Sequence, residues 1–404
     1  MRTTVLWGVV AIAAMMTSIS GCTASPPDST ASDSATPAAA TSDECPDGTA
    51  EAEGLCVAET AEAQEAADVV RSLFESESLG AVIIGVWRAG EPVLVGALGE
   101  SLTGVPATVD MHHRTGNVGH SLVETVLLQQ VEKGTLALDD PLSKYLPDLP
   151  SADEITIDMV AHSTSGYTQY TIVPEFQEKL YENPFANWNI DDVIAYGVEG
   201  GPQYAPGTNW NFSDTNILIL AKVLEVATGK PLADLVQEGI FDPLGMDQST
   251  SPATAYLPDP VLHSYTGERG VWEEATYWHP SWTSFAGGWG STQDDLRKLI
   301  EAVGTGSLLS DESHEAQLAP TNVGLGSNTD ERYYGMGISI VNDWLLTAPG
   351  LQGYHASVGY LRDQELTVVI YFTTTPDYDA SSRSTLIFEP LSAILAPENA
   401  IDLG

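Results

Sequence analysis

Gln129-Gln130-Val131-Glu132-Lys133-Gly134-Thr135-Leu136-Ala137-Leu138-Asp139-Asp140-Pro141, running on to Lys144-Tyr145-Leu146-Pro147, is the stretch on which the reading of the fold turns. Its first residues finish a helix that the sequence predicts from Asn117 to Gly134, ended by glycine as helices commonly are. Upstream, Ala61 to Ser76 carries apolar residues at helical spacing, with Val69, Val70, Leu73 and Phe74 on one side. Ala81 to Trp87 and Pro92 to Leu98 are β-rich runs around Arg88-Ala89-Gly90-Glu91, the pattern of a hairpin. Downstream, 190–198 and 214–228 read as helices, the second stopping at Gly229. A long loop rich in aromatics covers 251–285, and a helix follows over 292–303. Segments 334–342, 354–361 and 366–374 are strand-like, and 381–396 is a closing helix. Strands at both ends with helices between them predict an α+β fold, an antiparallel sheet flanked by helices plus a mainly helical lobe.

Further blocks follow the quoted stretch in order. They are His162-Ser163-Thr164-Ser165-Gly166, Tyr204-Ala205-Pro206-Gly207-Thr208-Asn209-Trp210-Asn211-Phe212-Ser213-Asp214-Thr215-Asn216 and Pro243-Leu244-Gly245-Met246. Then come Ala286-Gly287-Gly288 with Ser291-Thr292, and Tyr334-Gly335-Met336-Gly337. Together they resemble the beta-lactamase-related serine hydrolases: class C beta-lactamases, D,D-carboxypeptidases and esterases of that fold. The resemblance covers residues 65–397 and implies a beta-lactamase/transpeptidase-like architecture.

It also implies three catalytic elements in one cleft. The first is S-x-x-K at a helix start, where i,i+3 spacing sets both side chains on one face and the lysine helps deprotonate the serine. Here that element reads Asn117-Val118-Gly119-His120, its register held by Arg114 and Gly116 upstream and by the Gly134 block downstream. A carboxamide nitrogen, delocalised into its carbonyl, is no practical nucleophile. The second element is Y-x-N, and here it is Phe212-Ser213-Asp214: a ring without the hydroxyl, and a carboxylate for a neutral amide. The third is K-T-G or H-x-G on a strand, which an alignment anchored on Gly359-Tyr360 places at Gly353-Tyr354-His355. Every side chain of the ordinary acylation mechanism is changed, while the structural blocks between them stand.

Thr115, Ser121 and Ser213 are the substitute nucleophiles at hand. The i+3 partner of Ser121 is Glu124 and not a lysine, and a helix serine bonding its own backbone is the competing reading. In the family's geometry His120, Asp214 and His355 face one another. Three readings follow: a structural His–Asp pair filling the lysine–asparagine space, a dyad that activates water, and a His-Asp-His metal site of acceptable ligand types. The structural pair is the expectation, with no metal and no cofactor. His120, Asp214, Tyr354, His355 and Trp282 are the residues expected to face a ligand in the cleft. Trp272, Tyr277, Trp278 and Trp282 crowd the loop before Ala286, where they stack on a ligand or pack the loop onto the domain.

Residues 1–21 read as a signal peptide: Arg2, an apolar run from Val5 to Met16 too short to span a bilayer, then Ile19-Ser20-Gly21-Cys22. That ending resembles a lipoprotein lipobox, which implies acylation of Cys22; an ordinary secretory signal is the alternative. Residues 22–60 are expected to hold the acylated cysteine, a Ser/Thr/Ala/Pro tether and a small loop between Cys45 and Cys56, paired as a disulfide or left as two thiols. One two-lobed domain is expected over 61–404. The net charge of −41, with 15 basic residues, speaks against nucleic acid and anionic membranes as partners. The patterns G-x-x-x-x-G-K, G-x-S-x-G and H-E-x-x-H are absent.

The expectation is an extracytoplasmic lipoprotein, attached to the bacterial membrane by lipid alone, that has lost acyl-serine catalysis. Its old cleft would bind a peptidoglycan fragment or an envelope protein. The alternative is an active esterase, amidase or peptidase rebuilt around His120 and Asp214 or an off-register serine.

Overall fold

The computed structural model describes residues 45–378 and 383–403. The signal peptide and Cys22 lie outside the described residues. The main sheet is antiparallel throughout its path. Its strands are β1 (Thr49–Ala52), β2 (Leu55–Ala58), β3 (Leu79–Arg88), β4 (Glu91–Leu102), β5 (Arg332–Tyr334), β6 (Ser339–Val341), β7 (Trp344–Thr347), β8 (Tyr354–Leu361) and β9 (Leu366–Thr374). They lie in the order β1-β2-β4-β3-β9-β8-β7-β6-β5. The β3–β4 hairpin therefore pairs through β3 with β9, the last of these strands, in the middle of the sheet.

Strand β3 explains the layering. Val82, Ile84 and Val86 point to one face and enter a core with Ala63, Ala66 and Val70 of α1 (Ala61–Ser76) and Phe388 and Leu391 of the closing helix. Ala81, Ile83 and Trp87 point to the other face and join the core of the helical lobe, as the two-residue period of a strand requires. Each fully buried Leu, Ile or Val contributes about 1.5–3 kcal/mol, so a strand apolar on both sides belongs in the middle of the sheet. The lobe is built around α2 (Gly119–Glu132) and α5 (Asp214–Thr228), with α3 (Pro174–Glu182) and α4 (Ile190–Val198) beside them. Helix α2 is buried around almost its whole circumference, which marks it as the central helix of the lobe. Helix α6 (Gln293–Thr305) returns to the sheet through Leu296, Leu299 and Ile300, and α7 (Phe388–Leu395) closes the fold.

Three expectations need correction. The segment holding Cys45 and Cys56 is not a loop apart from the domain: β1 and β2 form a hairpin, and β2 pairs with β4. Cys45 and Cys56 form a disulfide across it. The strand expected over 334–342 is two strands, because Gly337 turns the chain at φ +73° and a Cβ there would lie 2.7 Å from the His120 carbonyl oxygen. The closing helix begins at Phe388, not at 381. Among the described residues no helix is long and apolar enough to cross a membrane.

Candidate ligand cleft

Asn117 sits in the short 3₁₀ turn Gly116–Val118 that leads into α2, and it lines a cavity of about 310 Å³ between the lobe and the sheet. Phe212 and Asp214 line the same cavity from the start of α5. The sequence therefore brings the first and second elements together, as the ordered blocks implied. Among the described residues, the Asn117 side chain has no hydrogen-bond partner.

His120 stands in the first turn of α2 and is 2% exposed. Its Nε2 lies 2.8 Å from Asp214 Oδ1 and its Nδ1 lies 3.1 Å from the Tyr334 hydroxyl. The Phe212 ring stacks on the imidazole, with centroids 5.3 Å apart. Burial pushes the Tyr334 phenol well above its usual pKa, so it stays protonated and can donate to Nδ1. Both ring nitrogens are thus occupied by protein groups. Asp214 is fixed in turn by Gln169, whose Nε2 donates to Asp214 Oδ2 at 2.7 Å while its Oε1 accepts from the Asp214 backbone N–H at 2.8 Å. A carboxylate at the first position of α5 also lies at the positive end of the helix dipole.

The substitute nucleophiles are all engaged elsewhere. Ser121 Oγ donates to the Gly337 carbonyl at 2.7 Å, Ser213 Oγ to the Thr168 carbonyl at 3.1 Å, and Thr115 Oγ1 to the Gly116 carbonyl at 3.2 Å. None of the three is more than 2% exposed. Glu124, on the helix face of Ser121, is fully buried with both carboxyl oxygens unpartnered. Burial holds its pKa well above the usual carboxylate range, so at neutral pH it is a poor proton acceptor for Ser121.

The residues that the alignment assigned to the third element do not reach the cavity. Gly353 takes φ +83° in the turn before β8, and a Cβ there would lie 2.0 Å from the Tyr265 carbonyl oxygen. Its lack of a side chain answers to close backbone packing. Tyr354 donates to the Leu262 carbonyl at 2.6 Å, and His355 stacks on Phe372 with Nδ1 3.4 Å from Ser384 Oγ. None of the three lines the cavity, whose sheet-side wall is Ala348, Gly350, Leu351 and Gln352. His120, Asp214 and His355 are therefore not a trio, and among the described residues no cluster of three His, Cys, Asp or Glu side chains is placed to hold a metal.

Of the loop aromatics, Trp278 and Trp282 are buried and line the cavity, while Trp272 stacks outside it on Tyr265. The sequence reading missed Gln169, Glu268, Tyr334 as the partner of His120, and Gln352. Tyr334 carried a signal, because it opens one of the ordered blocks.

The beta-lactamase family model matches residues 66–391. Esterase EstB of Burkholderia gladioli is 30% identical over 44% of this chain and 48% of its own. Penicillin-binding protein 4 of Amycolatopsis lactamdurans is 29% identical over 42% of this chain and 44% of its own. The chain spans about half the length of the curated relatives it matches. A D-stereospecific amidohydrolase from Streptomyces sp. superposes with a TM-score of 0.73 at 23% identity, covering 82% of this chain and 98% of its own, a likeness of fold.

Proposed function

The chain belongs to the beta-lactamase family, and on that premise we propose that it uses the family's cleft to bind a ligand without forming an acyl-serine intermediate. One observation carries this reading: the side chain presented to the cavity at the start of α2 is the carboxamide of Asn117, and the side chain one turn deeper is an imidazole with both nitrogens engaged. A general base needs a free lone pair within hydrogen-bond reach of the proton it takes. His120 has none, and the buried hydroxyls of Thr115, Ser121 and Ser213 are spent on backbone carbonyls. These contacts speak against the rebuilt-hydrolase alternative and support His120–Asp214 as a structural pair.

The protein is proposed to be an extracytoplasmic lipoprotein held at the membrane through Cys22, its cleft turned to a peptidoglycan fragment or an envelope protein. A thermal-shift screen of cell-wall fragments, run beside a panel of ester and amide substrates, tests the reading. Stabilisation by a fragment with no turnover is expected; sustained turnover above that of a heat-denatured control overturns it.

A further inference from the structure

The loop over 251–285 carries an aromatic surface outside the cleft. Among the described residues, four of the eight large apolar side chains that stand well exposed lie in it: Tyr256 at 65%, Val271 at 57%, Trp272 at 40% and Tyr277 at 39%. A short hairpin pairs Tyr265–Thr266 with Glu273–Glu274 and sets Tyr265 opposite Glu274. Trp272 stacks on Tyr265, with 13° between the planes and 6.3 Å between the centroids. Tyr277 meets the His263 ring edge-on at 5.8 Å, and His263 Nδ1 lies 2.6 Å from Glu274 Oε1. Burial raises the pKa of the Tyr265 and Tyr277 phenols, and the Glu274 carboxylate raises both further; Asp259 and Tyr256 add to the shift at Tyr277. Trp272, Tyr265, Glu274, Tyr277 and Tyr256 thus form one continuous surface. None of them lines the cavity, although Glu268 in the turn of the hairpin does.

Exposed apolar area concentrated in this way marks a binding surface, and its chemistry narrows the ligand. Stacking already holds the rings, so little side-chain freedom is lost on contact. Their polar tips are free and accessible: the Tyr256 and Tyr277 hydroxyls and the Trp272 indole N–H have no hydrogen-bond partner in the described residues. Carboxylate acceptors stand beside them. Glu274 is 38% exposed and tied to His263 through one oxygen only, and Asp259 is exposed without a hydrogen bond or salt bridge. Arg269, in the turn of the hairpin, is paired with Glu273. The surface is therefore acidic, and on a chain of net charge −41 it repels both an anionic polymer and a second copy. A neutral sugar ring with equatorial substituents meets both features at once: a flat C–H face for the aromatic rings, and hydroxyls at its edge to donate to the carboxylates. We propose that Tyr256, Tyr265, Trp272 and Tyr277 form a docking platform for an uncharged β-linked glycan, outside the cleft and independent of what the cleft binds. Sugar faces lie on Trp272 and Tyr277, and ring hydroxyls donate to Glu274.

Calorimetry on the full chain tests the proposal with four probes: N-acetylated chitotetraose and cellotetraose as neutral β-linked glycans, tetragalacturonate as an anionic one, and tetralysine as a cationic peptide. A neutral tetrasaccharide is expected to bind at millimolar concentration or below, and tetragalacturonate at least about tenfold more weakly. Trp272→Ala and Tyr277→Ala, both at exposed positions, are each expected to weaken the neutral glycan about fivefold, and Glu274→Gln about threefold. The proposal is overturned if neither neutral glycan binds at millimolar concentration, or if tetragalacturonate or tetralysine binds as well as they do. It is also overturned if none of the three substitutions weakens the glycan, which would place the sugar elsewhere on the protein. Self-association of the chain that Trp272→Ala abolishes would overturn it too, assigning the surface to a second copy.

Discussion

His120 Nε2 lies 2.8 Å from Asp214 Oδ1, so the first turns of α2 and α5 are joined side chain to side chain beneath the cleft. The pair is set in a short network: Tyr334 on the other imidazole nitrogen, Gln169 on the other carboxylate oxygen, Phe212 over the ring. Such a network fixes its members, and it leaves the histidine no lone pair for chemistry.

Removing one member strands the others. His120→Ala is expected to destabilise the fold by about 3 kcal/mol, because it strips the largely buried Asp214 carboxylate of its imidazole partner, leaving only Gln169, and leaves the buried Tyr334 phenol with no partner. Asp214→Asn keeps the shape and one acceptor and is expected to cost about 1 kcal/mol. Urea unfolding at pH 7 measures both; a loss below about 0.5 kcal/mol for His120→Ala would deny the pair its structural role.

The two serines give a separate check. Ser121→Ala and Ser213→Ala each remove one buried hydrogen bond to a backbone carbonyl, and each is expected to lower stability by about 1 kcal/mol. Neither is expected to change any background rate of ester hydrolysis. A serine whose loss abolished such a rate would be a nucleophile after all.

Acid sensitivity should come from histidines outside the cleft. Burial lowers the pKa of His113 to about 3 and that of His355 to about 4, against 6.5 in the unfolded chain. Below pH 6.5 the unfolded state therefore binds protons that the folded state refuses. Their stabilising effect is complete above that pH and is lost as pH falls, by about 1.4 kcal/mol per unit for each histidine. The loss from His355 ends near pH 4 and that from His113 near pH 3. His355→Phe, which keeps a ring against Phe372, is expected to make the drop between pH 7 and pH 5 smaller by about 2 kcal/mol. An unchanged drop in urea midpoints would contradict this.

The disulfide lies at the far side of the sheet from the cavity wall of Ala348–Gln352. Cys45→Ser with Cys56→Ser is expected to cost about 2–3 kcal/mol, with faster amide exchange confined to β1 and β2. Ligand affinity in the cleft should not change. A cleft that weakened in this variant would reveal coupling across the sheet.

The fold was legible where one physical signal dominated. Helix α5 announced itself by a long apolar run and a glycine stop, and β3 by a run of Val and Ile between turn residues. The meeting of His120 and Asp214 was legible because the ordered blocks fixed both registers. The β1–β2 hairpin was not, since Thr49–Ala52 is Ala/Glu-rich and four residues carry little β preference. Nor was Gln169: a lone glutamine in a loop has no periodicity, and its clamp on Asp214 exists only in three dimensions. That Gly353, Tyr354 and His355 stay out of the cavity was not legible either, because Gly353 looked like a missing catalytic side chain, whereas the Tyr265 backbone leaves room for nothing larger.

The most direct measurement is the intact mass of the native protein after exposure to a fluorescent penicillin and, separately, to a fluorophosphonate, with an active family member labelled in parallel. The account predicts an unchanged mass and an unlabelled band. A covalent adduct mapped to any serine or threonine of the cleft would contradict it.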